Sequence, residues 1–244
     1  MMRTGFRAAC LVCVWLIAGC DTDGDSPSTS GMAEAEDSAA LQLESAVTAL
    51  EREVLRVSDV NEIQRLQNTY GYYLDNSDWD NIVDLLTDDA TAEYATSGVY
   101  RGKQSIRDFL YGIGYGERGL RPQQLREHIQ VQPVITVAED GMTAKGRWRV
   151  LALLGQFGEY ARWQTGPYEN EYRKENGVWK ISRLHWIETL TVPVEGGWTT
   201  KMELSNVADR KFPGQDGPST FTYEPWPAVS LLPYHFTNPV TGQE

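Results

Sequence analysis

The chain has 244 residues, of which 41% are hydrophobic and 23% charged, which is the composition of a globular protein with one domain and additional segments. Its 34 acidic residues outnumber 22 basic ones, and a net charge of −12 disfavours contact with nucleic acid or anionic lipid headgroups. The three cysteines, Cys10, Cys13 and Cys20, all lie near the N-terminus. The rest of the chain therefore contains no cysteine for a disulfide or a metal site.

The N-terminus has the three parts of an export signal. Arg3 and Arg7 precede an apolar run, Ala8 to Ala18, that is too short to span a bilayer. The sequence Ile-Ala-Gly-Cys that ends at Cys20 resembles the lipobox of bacterial lipoproteins, and a secretory signal with a chance cysteine is the alternative. The resemblance implies removal of residues 1–19 and acylation of Cys20. We then expect a protein anchored in the bacterial cell envelope by lipid alone and facing the periplasm, with the choice of membrane open.

Two segments precede the predicted domain. Residues 20–40 are rich in Ser, Gly, Asp, Thr and Glu and have little apolar surface to bury, which predicts a flexible tether. Residues 41–58 predict an accessory helix, because apolar residues recur there at alternating steps of four and three. This apolar seam consists of Leu43, Val47, Leu50, Val54 and Val57. It could pack on its own domain or on a second copy, so a homodimer is one expected state.

Helices dominate the first half of the predicted domain. Asp59 followed by Glu62 resembles a capping box and predicts a helix start. The expected elements are helices at 59–76 and 78–89, a strand at 91–100 and a helix at 103–113. Four closely spaced glycines in residues 112–119 then predict a mobile loop, which is a candidate lid or mouth.

Strands dominate the second half. Alternating apolar residues predict strands at 128–138, 143–154, 168–174 and 178–192. Asn176-Gly177 is a strong signal for a tight hairpin turn, because both residues tolerate a positive φ. Helices followed by an antiparallel meander predict an α+β domain over residues 59–198, in which a curved antiparallel sheet wraps over three N-terminal helices.

The C-terminal segment, residues 199–244, has a different composition. Its six prolines prevent regular structure, and its aromatic and aliphatic side chains carry enough apolar surface to bind something. We interpret it as an extended arm that lies on this domain or on a neighbouring subunit. A disordered tail is the alternative.

Five motifs, taken in order, resemble the SnoaL-like branch of the nuclear-transport-factor-two-like superfamily, which includes scytalone dehydratase and bile acid dehydratase. They are Tyr70 to Asp75 with Asp78-Trp79-Asp80, Gly102 to Phe109, His128 to Val137, Asp140 to Ala144, and Asn176 to Ile181. The resemblance covers about residues 59–192. It implies a cone-shaped, cystatin-like α+β barrel, to which the N-terminal helix and the C-terminal arm are additions.

The resemblance implies a catalytic pair at Asp75 and His128. In dehydratases of this branch an Asp near the end of the first long helix orients a His at the start of a strand, and the His removes a proton. Such a pair needs neither metal nor cofactor. The alternative is an Asp that ends its helix and a His that is satisfied at a strand end.

Four further residues are candidates for substrate binding. Tyr70, Tyr94 and Tyr168 match positions where relatives place polar pocket residues, although for each of them taken alone a packing tyrosine is the favoured interpretation. His185 lies near a pocket position of related enzymes, but the face of its strand is undetermined. The sequence has no phosphate-binding loop, no zinc spacing and no nucleophile elbow, so we expect no metal and no cofactor.

These residues predict a cofactor-independent lyase or isomerase. Its substrate would be a hydrophobic aromatic or polycyclic small molecule, and the reaction would be loss of water or of formaldehyde. The alternative is a non-catalytic ligand-binding or scaffold protein with the same fold.

Overall fold

The computed structural model describes residues 29–200 and 214–243. Contacts divide the chain into two units, Met1–Ala49 and Leu50–Glu244. The predicted export signal, Cys20 and the start of the predicted tether lie outside the described residues. In the part of the chain that is described, no helix combines the length and the apolar character needed to cross a bilayer.

A single long helix, α1 (Thr29–Asp75), takes the place of the predicted tether, accessory helix and first domain helix. The second half of the tether prediction is therefore wrong, and so is the helix start at Asp59. The physical reason is that residues 32–70 contain neither glycine nor proline and are rich in Ala, Leu and Glu, which favour an uninterrupted helix. Asp59 is instead buried inside α1, where it accepts hydrogen bonds from Lys174 Nζ at 2.5 Å and Trp179 Nε1 at 2.9 Å.

The apolar seam is exposed along α1. In the second unit, Leu50, Val54 and Val57 are 60–65% exposed, and Leu43 and Val47 of the first unit are also exposed. The expectation that Leu50, Val54 and Val57 pack against their own domain is therefore wrong. Packing of the seam on a second copy stays a prediction.

Among the described residues, seven strands form one open sheet in the order β2-β1-β6-β5-β4-β3, with β7 paired to β5. The strands are β1 (Leu86–Tyr94), β2 (Val99–Arg101), β3 (Gln124–Val137), β4 (Thr143–Gln156), β5 (Tyr160–Glu175), β6 (Val178–Trp186) and β7 (Leu190–Pro193). The helices α2 (Trp79–Asp84) and α3 (Gly102–Ile113) precede β1 and β3. The fold is α+β, as predicted, but β1 pairs with β6 in parallel, so the sheet is mixed and not wholly antiparallel.

The core lies between one face of α1 and the sheet. Ile63, Gln67, Tyr70 and Leu74 recur at steps of three and four and are buried. Gln67 is the polar member of this row, and its Oε1 accepts from Tyr172 Oη at 2.8 Å. The last two residues of the row, Tyr70 and Leu74, bring the end of α1 to the functional site.

Two strands, β6 and β7, pair with the same edge of β5, one on each side of its middle. β7 pairs with residues 162–165 and β6 pairs with residues 168–175. Between them the backbone of Ile187 approaches Gly166 so closely that a Cβ on Gly166 would lie 1.9 Å from the Ile187 carbonyl oxygen. Glycine is therefore required at this position, and the close approach determines the path of residues 187–189.

The C-terminal arm is described from Gly214 to Gln243 and, within these residues, contains no helix or named strand. Polar bonds attach it to the domain. Asp216 Oδ2 accepts from Arg101 N at 2.7 Å, and Glu93 accepts from Thr220 N at 2.9 Å and from Thr220 Oγ1 at 2.7 Å. Several large apolar side chains of the arm are nevertheless exposed, among them Val229 at 83% and Leu231 and Val240 at 90%.

Candidate functional site

The last residue of α1 contacts the first half of β3. Asp75 Oδ1 accepts from the backbone N–H of His128 at 2.7 Å and lies 3.0 Å from His128 Nδ1. A carboxylate oxygen can only accept, so Nδ1 carries the ring hydrogen. In the neutral ring the lone pair then belongs to Nε2, which is the nitrogen available to take a proton.

The environment of His128 keeps its imidazole neutral. Burial lowers the pKa of His128, and the nearby charge of Arg126 lowers it further, while the hydrogen bond and the charge of Asp75 act in the opposite direction. A neutral, oriented imidazole is the form that acts as a general base.

His128 lines an aromatic cavity of about 340 Å³. Aromatic rings form much of its wall, among them those of Tyr94, Phe109, Tyr168 and Trp186. The rings support one another, since Tyr94 stacks on Phe109 at 4.9 Å and Tyr168 lies 5.1 Å from Trp186 between centroids. A cavity of this size and lining suits a small hydrophobic molecule.

Three tyrosine hydroxyls form a buried chain at this cavity. Tyr70 Oη lies 3.1 Å from Tyr94 Oη and 3.0 Å from Tyr168 Oη. Tyr94 and Tyr168 line the cavity, whereas Tyr70 lies behind them. Tyr70 can accept a hydrogen bond from one of these two tyrosines and donate one to the other. The tyrosine that accepts from Tyr70 then has its own hydroxyl hydrogen left to donate to a ligand.

Burial keeps these hydroxyls protonated. It is the largest cause that raises the pKa of Tyr70, Tyr94 and Tyr168, and the neighbouring hydroxyls raise the pKa of Tyr70 further. The tyrosines can therefore serve as hydrogen-bond donors to a developing oxyanion.

A carboxylate that we did not predict also lines the cavity. Glu188 is 2% exposed, and its Oε1 accepts from Gln164 Nε2 and from Thr191 Oγ1. All three residues line the cavity. In the sequence, the one signal that could have indicated this residue is that it is the single acidic side chain in the mainly apolar segment that follows β6. This polar cluster can fix the orientation of a ligand that is otherwise held by apolar contacts.

His185 does not line the aromatic cavity, so its assignment to the same substrate site is wrong. Side chains alternate along a strand, and Trp186 points into the cavity. His185 is paired with Glu93, and both lie on the opposite face of the sheet from Tyr94 and Trp186.

The glycine-rich loop borders the same cavity through Ile113 and Tyr115. Trp79 anchors it, because Trp79 Nε1 donates to Glu117 O at 2.8 Å and packs so closely on Gly114 that a Cβ there would lie 2.5 Å from Nε1. The position fits the predicted mouth. A lid motion of this loop stays a prediction.

Comparison with known proteins agrees with this architecture. LinA shares 20% identity, with a TM-score of 0.52 over 59% of this chain and 95% of LinA. Hexachlorocyclohexane dehydrochlorinase LinA-type3 from Novosphingobium barchaimii LL02 shares 21%, with a TM-score of 0.51 over 59% of this chain and 95% of that one. These two likenesses show the fold.

A protein from Novosphingobium aromaticivorans DSM 12444, provisionally assigned as a scytalone dehydratase, shares 26% identity, with a TM-score of 0.49 over 57% of this chain and 89% of that one. A family model for the SnoaL-like domain matches residues 55–185, which is more than half of the chain. The chain therefore belongs to the family of SnoaL-like domain proteins.

Proposed function

We propose that the protein is a cofactor-independent lyase or isomerase that acts on a hydrophobic small molecule in the aromatic cavity. The fold and family support a ligand-binding or dehydratase-type role in general. One observation supports the enzymatic form of it: Asp75 holds His128 Nδ1 at 3.0 Å, so that the basic nitrogen of a buried imidazole is available where His128 lines the cavity.

His128 Nε2 would remove a proton from a carbon next to a carbonyl group. The electron pair moves towards the carbonyl oxygen, where the free hydroxyl hydrogen of Tyr94 or Tyr168 stabilises the developing charge. In a dehydration the carbon–carbon double bond forms as the β-hydroxyl leaves, and the imidazolium returns its proton to give water. In an isomerisation the same proton returns to a different carbon.

Asp75 would contribute in two ways. Its hydrogen bond holds the ring in the tautomer that leaves Nε2 free, and its charge stabilises the imidazolium that forms during the reaction. Tyr70 would act as a positioning residue, because it bonds to both cavity tyrosines and does not itself line the cavity.

The shape of the cavity supports an aromatic or polycyclic substrate. Its rings and aliphatic side chains provide a hydrophobic surface, and the lining also includes Arg126, Arg162 and the polar cluster of Glu188 with Gln164 and Thr191. A substrate that loses formaldehyde in place of water could use the same base at a different hydrogen. His128 Nε2 would then take the proton of a hydroxymethyl group, the carbon–carbon bond to that group would break as formaldehyde leaves, and its electron pair would move towards the carbonyl oxygen before the proton is returned to carbon.

The test is a screen of aromatic and polycyclic β-hydroxy ketones in D₂O, followed by NMR and mass spectrometry. We expect the wild-type protein to form the unsaturated product or to exchange the α-hydrogen for deuterium. His128→Gln should lower this rate by about 10²–10⁴-fold, the usual contribution of a general base. Glu127→Gln is the matched control, because Glu127 is the exposed neighbour of His128 on β3.

Two results would count against catalysis. The first is a wild-type protein that binds these compounds without exchange or product. The second is a His128→Gln variant that turns over as fast as the wild type. Either result would favour the alternative, a SnoaL-like protein that only binds its ligand.

Two expectations from the sequence remain proposals. Acylation of Cys20 would hold the protein in the cell envelope, facing the periplasm, and the exposed seam of α1 would support a homodimer. Neither proposal changes the chemistry of the aromatic cavity.

A further inference from the structure

A second cavity, of about 390 Å³, lies between the sheet and the C-terminal arm, and we refer to it as the arm cavity. The sheet contributes Arg147 and Glu169, and the arm contributes Phe221 and Tyr234. None of its lining residues lines the aromatic cavity. Arg147 closes one side, because its guanidinium donates both to Glu169 and to the carbonyl oxygen of Pro233 in the arm.

His185 lines the arm cavity and carries a hydrogen-bond donor that has no partner among the described residues. Its side chain is 5% exposed, and its Nδ1 lies 3.1 Å from Arg183 Nη2. A guanidinium can only donate, so Nδ1 accepts and Nε2 carries the hydrogen in the neutral ring. Burial lowers the pKa of His185, which keeps the ring neutral. The nearest carboxylate oxygen, on Glu93, is 3.8 Å from Nε2 and too far for a hydrogen bond.

His235, from the arm, lines the same cavity. Its side chain is 9% exposed, and its Nδ1 lies 3.2 Å from Glu169 Oε2. The carboxylate can only accept, so Nδ1 donates, and the neutral form of the ring has its lone pair on Nε2. Among the described residues, neither His185 Nε2 nor His235 Nε2 has a hydrogen-bond partner.

The charges around the arm cavity do not favour an ion. Its lining contains three basic side chains and two carboxylates, and the carboxylate of Glu93, 3.8 Å from His185 Nε2, lies beside it as a third. These are Lys145, Arg147 and Arg183 against Glu93, Glu169 and Glu171. The remaining walls include Phe221, Leu232 and Tyr234, which are apolar or aromatic. A neutral ligand with an apolar body fits this balance better than an anion or a cation.

We propose that the arm cavity binds a small neutral molecule that carries a hydroxyl group on an aromatic or aliphatic body, such as a phenol. A hydroxyl both accepts and donates, so one group satisfies the Nε2–H of His185 and the Nε2 lone pair of His235. The body of the ligand packs on Phe221 and Tyr234. Because His235 and both rings belong to the arm, the ligand would also hold the arm against the sheet.

The three histidines of the chain make the test direct, since His128 reports on the aromatic cavity while His185 and His235 report on the arm cavity. The full-length protein, labelled at histidine with ¹³C and ¹⁵N, is titrated with phenol and followed by NMR. We expect saturable shifts of the ring signals of His185 and His235. Toluene, which has a similar shape and no hydroxyl, should leave both signals in place.

A His235→Phe variant keeps an aromatic ring but loses the acceptor, and it should bind phenol about tenfold more weakly, the effect of one lost hydrogen bond. If this variant fails to fold, the wild-type titrations with phenol and toluene decide alone. Three results would overturn the proposal: no saturable shift at His185 and His235, equal shifts with toluene, or a shift at His128 alone.

Discussion

Replacing Asp75 with asparagine is expected to lower turnover by about a hundredfold or more and to move the acid limb of the pH–rate profile to lower pH. Asparagine keeps the size of the side chain and an oxygen that can accept from His128 Nδ1. It loses the negative charge that stabilises the imidazolium during proton abstraction. The loss in rate therefore measures the charge of Asp75 and not merely its volume.

The direction of the pH shift follows from the protonation state of the base. Only neutral His128 can abstract a proton, so the rate falls as the pH drops through the pKa of His128. Burial lowers this pKa, and the hydrogen bond and charge of Asp75 partly restore it. Removing the charge lowers the pKa further, and the acid limb moves with it.

The measurement is kcat/KM against pH for the wild type and for Asp75→Asn, with a substrate found in the β-hydroxy ketone screen. Asp88→Asn is the matched control, because Asp88 is an exposed carboxylate whose ion-pair partner is Lys103 at 3.2 Å. A variant at Asp75 with the rate and profile of the wild type would show that the pair is structural.

Gly166→Ala is expected to lower the free energy of unfolding by about 2–4 kcal/mol, which is a large part of the stability of a domain. The added methyl group would lie 1.9 Å from the backbone carbonyl oxygen of Ile187. This backbone is held against β5, because Ile187 N donates to Pro167 O and Thr189 N donates to Thr165 O, both at 3.0 Å. Relief requires a movement of residues 187–189. Glu188 lies in that segment, so the polar cluster of the aromatic cavity would be displaced as well.

Chemical denaturation of the wild type and of Gly166→Ala measures the effect. Gly214→Ala is the matched control, since no neighbouring atom lies within 4 Å of the added Cβ and it should be nearly neutral. Equal stability of the two alanine variants would mean that β5, β6 and β7 do not meet at Gly166 as described.

The elements that could be predicted from sequence are those with local signals. The apolar face of α3, with Ile106, Phe109 and Leu110, defines a helix. The turn at Asn176-Gly177 is formed as predicted, with φ values of 52° and 79°. The contact between Asp75 and His128 was also predictable, because the resemblance placed one at a helix end and the other near the start of a strand.

Other features depend on long-range pairing and could not be predicted. Asp59 has the local pattern of a helix cap, but burial against Lys174 and Trp179 places it inside α1. The parallel pairing of β1 with β6 joins segments that are far apart in sequence, and it determines which face His185 occupies. Glu188 enters the aromatic cavity only because the backbone leaves the sheet between β6 and β7.

In the arrangement proposed for catalysis, Asp75 holds His128 with a hydrogen on Nδ1 and a free lone pair on Nε2. The tautomer of His128 tests it most directly and requires no substrate. A long-range ¹H–¹⁵N correlation spectrum of the labelled full-length protein, recorded above the pKa of His128, distinguishes the two ring nitrogens. We predict a protonated Nδ1 and an unprotonated Nε2 for His128. A spectrum with the hydrogen on Nε2, or with the averaged signals of an unrestrained imidazole, would contradict the account.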